Sequence, residues 1–101
     1  MNVENVSMDE REAIEVAERR LAALRTRPYP QLVDEWLDQP RSEWATAPSG
    51  RRYALEIEAV WDNAPHGDLR VWVLVDDGGP SAQRPLQRNF IMAPDGTYVD
   101  E

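Results

Sequence analysis

The stretch 52–76, RYALEIEAVWDNAPHGDLRVWVLVD, decides the fold of this chain. Two runs in it, 53–61 and 69–75, place an apolar side chain at every second position, which is the pattern of strands that bury one face. The residues between the runs are rich in Asp, Asn, Pro and Gly and are typical of a turn. Folding the two runs about this turn sets Ile57 opposite Val73, so loop length and both alternations predict one register.

Two helices are predicted before this hairpin. Ser7-Met8-Asp9-Glu10 fits a capping box, which predicts a helix from about Met8 to Arg25. Its apolar residues fall on one face of a helical wheel and are Ala13, Ile14, Ala17, Leu21 and Leu24. Pro30 suits a first helical position and indicates a short second helix to about Asp38.

The segments on either side of the hairpin carry weaker signals. Residues 40–50 are expected to be irregular, with Trp44 as a lid over the edge of the core. After the hairpin, residues 81–86 read as an edge strand because they contain a proline. Residues 90–92 and 97–99, joined by the turn Ala93-Pro94-Asp95-Gly96, are expected to form a last short hairpin.

This order of elements predicts an α+β fold and a single domain spanning residues 1–101. We expect an N-terminal amphipathic helix and a short second helix packed on a four- to five-stranded antiparallel meander sheet. The outline is similar in topology to the cystatin-like and NTF2-like layout, a likeness that implies the fold alone. The C-terminal third, through Asp76-Asp77-Gly78-Gly79, Pro85-Leu86 and Phe90-Ile91-Met92-Ala93-Pro94-Asp95-Gly96, resembles small bacterial proteins of no established function and implies no activity.

Composition excludes several classes of function. Eleven Arg and no Lys stand against nineteen acidic residues, and the net charge of −8 argues against nucleic-acid binding. The chain has no Cys and one His, His66, which lies in the turn and is expected to be solvated, so we predict no metal site and no cofactor. No apolar run is long enough to span a membrane, and we expect a soluble, cytoplasmic protein without membrane partners.

No catalytic residue is predicted. Glu56, Glu58 and Asp76 are the carboxylates to consider, and an enzyme would need one of them buried with a raised pKa. Their positions on the off-core face or at a turn favour solvated side chains. The sequence therefore predicts that the protein is not an enzyme.

The second face of the hairpin departs from the expected pattern. Trp72, Leu74 and Val60 are apolar there, beside Arg70, although a sheet with one face under a helix usually shows polar residues on the other. Three explanations stay open at this point. Residues 28–50, with Trp36, Leu37 and Trp44, could fold across this face, a protein partner or second copy of the chain could cover it, or the face could form a small-molecule pocket.

Two functional hypotheses follow. The first is a non-enzymatic acidic interaction module, self-associating or binding a protein partner through Trp72, Leu74, Val60 and Arg70. The alternative is a small-ligand-binding domain of the cystatin-like or NTF2-like layout, with an apolar pocket between helix and sheet. The pocket residues would be Tyr53, Trp61, Phe90 and Tyr98.

Overall fold

The computed structural model describes residues 10–76 and 86–99. In this part of the chain two helices precede four strands: α1 (Glu10–Arg25), α2 (Tyr29–Trp36), β1 (Arg41–Thr46), β2 (Arg52–Trp61), β3 (Leu69–Asp76) and β4 (Leu86–Met92). The strands form one antiparallel sheet in the order β1-β2-β3-β4. The predicted α+β fold, with two helices packed on an antiparallel meander sheet, is confirmed.

The central hairpin has the register that the sequence predicts. Ile57 pairs with Val73 and Trp61 with Leu69. The loop between β2 and β3 is closed by the amide of Asp62, which donates to the carbonyl of Asp68 at 2.8 Å. The face turned toward the helices is buried along both strands, through Tyr53, Leu55, Ile57, Ala59, Leu69, Val71, Val73 and Val75.

Helix α1 packs across β3 and β4. Its buried residues are Ala13, Val16, Ala17, Leu21 and Leu24. Four of these were predicted, but Ile14 is half-buried and Val16 is buried in its place. The side of α1 that packs against the sheet is therefore centred closer to Val16, and farther from Ile14, than the apolar pattern suggests. The predicted capping box begins at Ser7, which lies outside the described residues.

Helix α2 packs its Leu32 and Trp36 into the same core as α1. It ends at Trp36, slightly before the predicted boundary, because Leu37 is extended and bridges Ala59 in parallel. The amide of Asp38 then donates to the carbonyl of Ala59 at 2.8 Å. The end of α2 thus contacts the C-terminal part of β2 at Ala59, and the chain continues from there into β1.

The prediction for residues 40–50 is wrong, because Arg41–Thr46 forms strand β1. Its sequence, RSEWAT, lacks an apolar alternation, and its structure comes from backbone pairing with β2, where Glu43 lies opposite Leu55. Trp44 is not a lid over the core. It lies on the sheet face away from the helices and is 56% exposed. The guanidinium of Arg52 stands 4.6 Å from its ring centroid.

The C-terminal part is one strand followed by a turn. β4 runs through Leu86–Met92, and of the predicted edge strand 81–86 all but Leu86 lie outside the described residues. The turn 93–96 is confirmed: Gly96 has a φ of 90° and its amide donates to the carbonyl of Ala93 at 2.8 Å. Residues 97–99 return beside β4 through a single bridge between Met92 and Tyr98 and do not form a strand of their own.

Candidate functional site

The candidate site is the sheet face turned away from both helices, which we call the open face. The strand register places on it Ser42, Trp44, Thr46, Arg52, Ala54, Glu56, Glu58, Val60, Arg70, Trp72, Leu74, Asp76, Gln87, Asn89 and Ile91. Neither described helix covers this face. The expectation that residues 28–50 fold across it is wrong, since Trp36 and Leu37 pack on the helix side and Trp44 belongs to the open face itself.

The predicted partner-binding residues come together on two neighbouring strands. Trp72 lies opposite Glu58, and Val60 lies opposite Arg70. Leu74 follows on the same face of β3, and all four predicted residues are half-buried. The structure therefore joins them into one surface at the centre of the sheet, while their role in binding stays a prediction.

Arg70 is held in place at one end of this surface. Its Nε donates to Oδ1 of Asp62 at 2.9 Å, and its Nη2 lies 2.8 Å from the same oxygen. Its Nη1 donates to Oδ1 of Asn89 at 2.9 Å. The guanidinium thus links the β2–β3 loop to β4. These contacts fix the position of the Arg70 side chain at one end of the surface.

A depression of about 240 Å³ opens next to Leu74. It is lined by Ser42, Ala54, Leu55, Glu56, Leu74 and Asp76. Its lining comes from three strands, with Ser42 on β1, Ala54 on β2 and Asp76 on β3. The sequence does not predict this feature, since the contribution of β1 is visible only once its register with β2 is known.

The four residues of the predicted ligand pocket do not line one cavity. Tyr53 and Trp61 stand at opposite ends of β2, about 26 Å apart at 3.3 Å per residue. Tyr53 is fully buried, and its hydroxyl donates to Oε1 of Glu12 at 2.8 Å. Phe90 is buried, whereas Tyr98 is 55% exposed and meets Phe90 edge-on at 6.0 Å between ring centroids. The predicted four-residue pocket is therefore not formed, and the cavity of about 300 Å³ between α1 and the sheet is lined by other residues, among them Val16, Ala23 and Leu55.

Trp61 does line a separate cleft, beside the start of α2. Its volume is about 330 Å³, and its walls are Tyr29, Pro30, Val33, Asp34, Trp61 and His66. The Tyr29 hydroxyl donates to the carbonyl of Gly67 at 2.7 Å, which fixes the β2–β3 loop against α2. Burial raises the pKa of Tyr29 above 10.0, and the Asp68 carboxylate raises it further. His66 is exposed, as predicted, and its ring lies 5.4 Å from that of Trp61.

The carboxylates considered for catalysis lie on the open face. Glu56 is exposed, and Glu58 and Asp76 are half-buried. Across residues 10–76 and 86–99, no three His, Asp or Glu side chains come together where they could hold a metal ion. The described part of the chain thus presents acidic groups on a surface, next to apolar ones.

The fold and this face define a small α+β protein with one sheet face left open by its described helices. No protein-family model, curated protein or solved structure matches the chain. Within the described residues, no helix is long and apolar enough to cross a membrane.

Proposed function

We propose that this protein is a non-enzymatic acidic interaction module that binds a basic segment of a protein partner through its open face. The observation that carries the proposal is the depression beside Leu74, where an apolar wall is bordered by the carboxylate of Glu56. Such a site suits a Lys or Arg side chain, whose aliphatic stem packs on apolar surface while its charged end meets a carboxylate.

The charges of the open face favour a basic partner over a second copy. Arg70 is already engaged by Asp62, and Arg52 stacks on Trp44. Glu56 and Glu58 form no ion pair with another described residue. Because the whole chain carries a net charge of −8, a basic surface is attracted to it at long range.

The apolar residues supply the short-range part of the interaction. Trp72 lies directly across from Glu58, and Leu74 lies across from Glu56, so each apolar side chain has a carboxylate beside it. Tryptophan in the centre of an interface is a frequent source of binding energy. A partner that covers Trp72 and Leu74 therefore brings its basic groups next to the two glutamates.

The experiment compares the full chain with Trp72→Ala and with the control Trp61→Ala, which removes a Trp from the helix side of the sheet. Each protein is immobilised and used to capture partners from cell extract, and captured proteins are then purified and titrated against each variant. Trp72→Ala should weaken binding by about 2 kcal/mol or more, roughly thirtyfold, while the control binds as the wild type does. Glu58→Gln should also weaken binding, and its effect should shrink at high salt.

Three results would contradict the proposal. If Trp72→Ala binds the partner as tightly as the wild type does, the open face is not the binding site. A partner without a basic surface would refute the charge argument. A Trp72→Ala protein whose solution mass falls would show that a second copy, and not a partner of another sequence, covers this face.

Small-ligand binding is a second candidate, supported by the cleft beside Trp61. Its aromatic walls and the Asp34 carboxylate would suit a small organic cation. Titration of the cleft with small ammonium compounds, followed by the fluorescence of Trp61, tests small-ligand binding independently of Trp72.

The likeness to the cystatin-like or NTF2-like layout and the cytoplasmic location also stay predictions.

A further inference from the structure

Strand β1 is an edge of the sheet whose outer backbone groups meet no described segment. The amide of Ala47 donates to the carbonyl of Arg51 at 2.8 Å, so these two residues form a hydrogen-bonded pair. Hydrogen-bonded and non-hydrogen-bonded pairs alternate along an antiparallel ladder. The N–H and C=O groups of Ser42, Trp44 and Thr46 therefore point away from β2. These groups form a template for another strand.

We propose that two copies of this chain pair antiparallel along β1, with the two-fold axis at Trp44, so that their sheets join into one. This contact lies at the sheet edge and is separate from the binding of a partner on the open face. It leaves the central surface around Trp72 accessible in both copies.

The proposed register is self-complementary. Trp44 of one copy lies opposite Trp44 of the other, and Ser42 of each lies opposite Thr46 of its mate. Both kinds of pair are favourable across antiparallel strands. Every outward backbone group of these three residues then has a partner, and Trp44, now 56% exposed, is covered by its counterpart.

Neighbouring registers are disfavoured by the sequence of β1 and its flanks. An axis at Glu43 would set two carboxylates directly opposite each other. An axis at Ala45 would place Pro48 opposite Ser42, where proline has no N–H to donate. An axis at Ser42 or Thr46 would bring Pro40 or Pro48 opposite Trp44. Among the axes from Ser42 to Thr46, only the one at Trp44 avoids both the charge conflict and a proline opposite a residue of β1.

Among the described residues, this edge is also less protected than the opposite one. On β4, the amide of Val99 donates to the carbonyl of Ile91 at 2.8 Å, so residues of the same chain occupy part of that edge. On β1, the charge that would repel a second copy, Glu43, is neutralised by Arg20, whose Nε lies 2.6 Å from its Oε2. The strand itself, RSEWAT, contains no proline or lysine to discourage pairing.

Solution mass, measured by sedimentation over a range of concentrations, tests the proposal. The wild-type chain should approach twice its 11.6 kDa mass as concentration rises. Ser42→Pro removes one outward N–H and leaves the ladder to β2 intact, and Trp44→Lys sets two like charges opposite each other. Each should raise the dimer dissociation constant about tenfold or more. Trp72→Ala, away from the edge, should leave it unchanged.

Cross-linking tests the register in a chain that has no natural Cys. A thiol introduced by Trp44→Cys should meet its own counterpart at the two-fold axis and form a disulfide between copies under mild oxidation. Thr46→Cys is the matched control, because its thiol would face Ser42 and lie beyond reach of its counterpart.

Several outcomes would overturn the proposal. They are a monomeric wild type at about 100 µM, a dimer that Ser42→Pro and Trp44→Lys leave intact, or equal cross-linking by both cysteine variants. A dimer that only Trp72→Ala disrupts would place self-association on the open face and would also contradict the proposed function. Loss of partner binding by Trp72→Ala with the dimer intact supports both proposals separately.

Discussion

Arg20 on α1 reaches Glu43 on β1, with 2.6 Å between Nε and Oε2. This ion pair joins the helix layer to an edge strand whose backbone is paired only with β2 among the described strands. Arg41 makes a second link, since its guanidinium lies 4.1 Å from the ring centroid of Trp36 and donates to the carbonyl of Glu35. Side-chain contacts, more than burial, thus attach β1 to the helices.

Replacing Glu43 should therefore have a small effect on stability. The two side chains are 29% and 37% exposed, and pairs of this kind contribute roughly 0.2–1 kcal/mol. Glu43→Gln should lower the free energy of unfolding by an amount in this range, and the loss should shrink at high salt. Denaturant titration measures it, and a loss above about 2 kcal/mol would show that the pair does more than surface exposure allows.

Ile57 should be far more sensitive, because it is fully buried opposite Val73. Ile57→Ala should destabilise the protein by roughly 2–5 kcal/mol through lost burial and the cavity left behind. Val60→Ala, on the half-buried open face of the same strand, is the control and should cost less. Equal denaturation midpoints for the two variants would contradict the assignment of faces.

The raised pKa of Tyr29 predicts that the stability of the fold depends on pH in the alkaline range. Burial and the neighbouring Asp68 raise the pKa of its phenol above 10.0. The folded protein then holds the proton more tightly than the unfolded chain, so stability is retained below pH 10.0 and falls as the pH rises toward the folded-state pKa. Tyr29→Phe should show a shallower loss of stability above this pH, measured by thermal unfolding. A parallel decline in both proteins would exclude this role.

The same substitution removes a hydrogen bond at neutral pH. Without the hydroxyl, the carbonyl of Gly67 loses the donor now 2.7 Å away. The expected loss at neutral pH is roughly 0.5–1.5 kcal/mol, measured by denaturant titration. A larger value would mean that the β2–β3 loop depends on this contact for its whole arrangement.

Ser7 tests a prediction that the sequence makes outside the described residues. If the capping box forms, Ser7→Ala should cost about 1 kcal/mol, because an amide of the first helical turn loses its acceptor. Ser7→Asp, which keeps an acceptor, should restore most of this stability. An unchanged denaturation midpoint in Ser7→Ala would refute the cap.

The sequence by itself determined the central hairpin and most of the buried stripe of the first helix. Alternation along 53–61 and 69–75 has a period of two, so a shift by one residue would expose every buried side chain, and together with the length of the turn it predicts the observed register. In α1, the capping box and the apolar stripe likewise predict a helix that ends at Arg25. In the hairpin, alternation and burial agree throughout, and the predicted four-residue open-face surface follows from the same alternation.

The tertiary structure decided what pattern alone could not. β1 is a strand because its backbone pairs with β2. Its sequence, RSEWAT, has no apolar alternation from which a strand could be predicted. The placement of α2 on the helix side, rather than across the open face, depends on the extended Leu37 meeting Ala59. The depression beside Leu74 is lined by residues of three strands that the register brings together. Each of these depends on contacts between distant residues, whose partners the sequence does not specify locally.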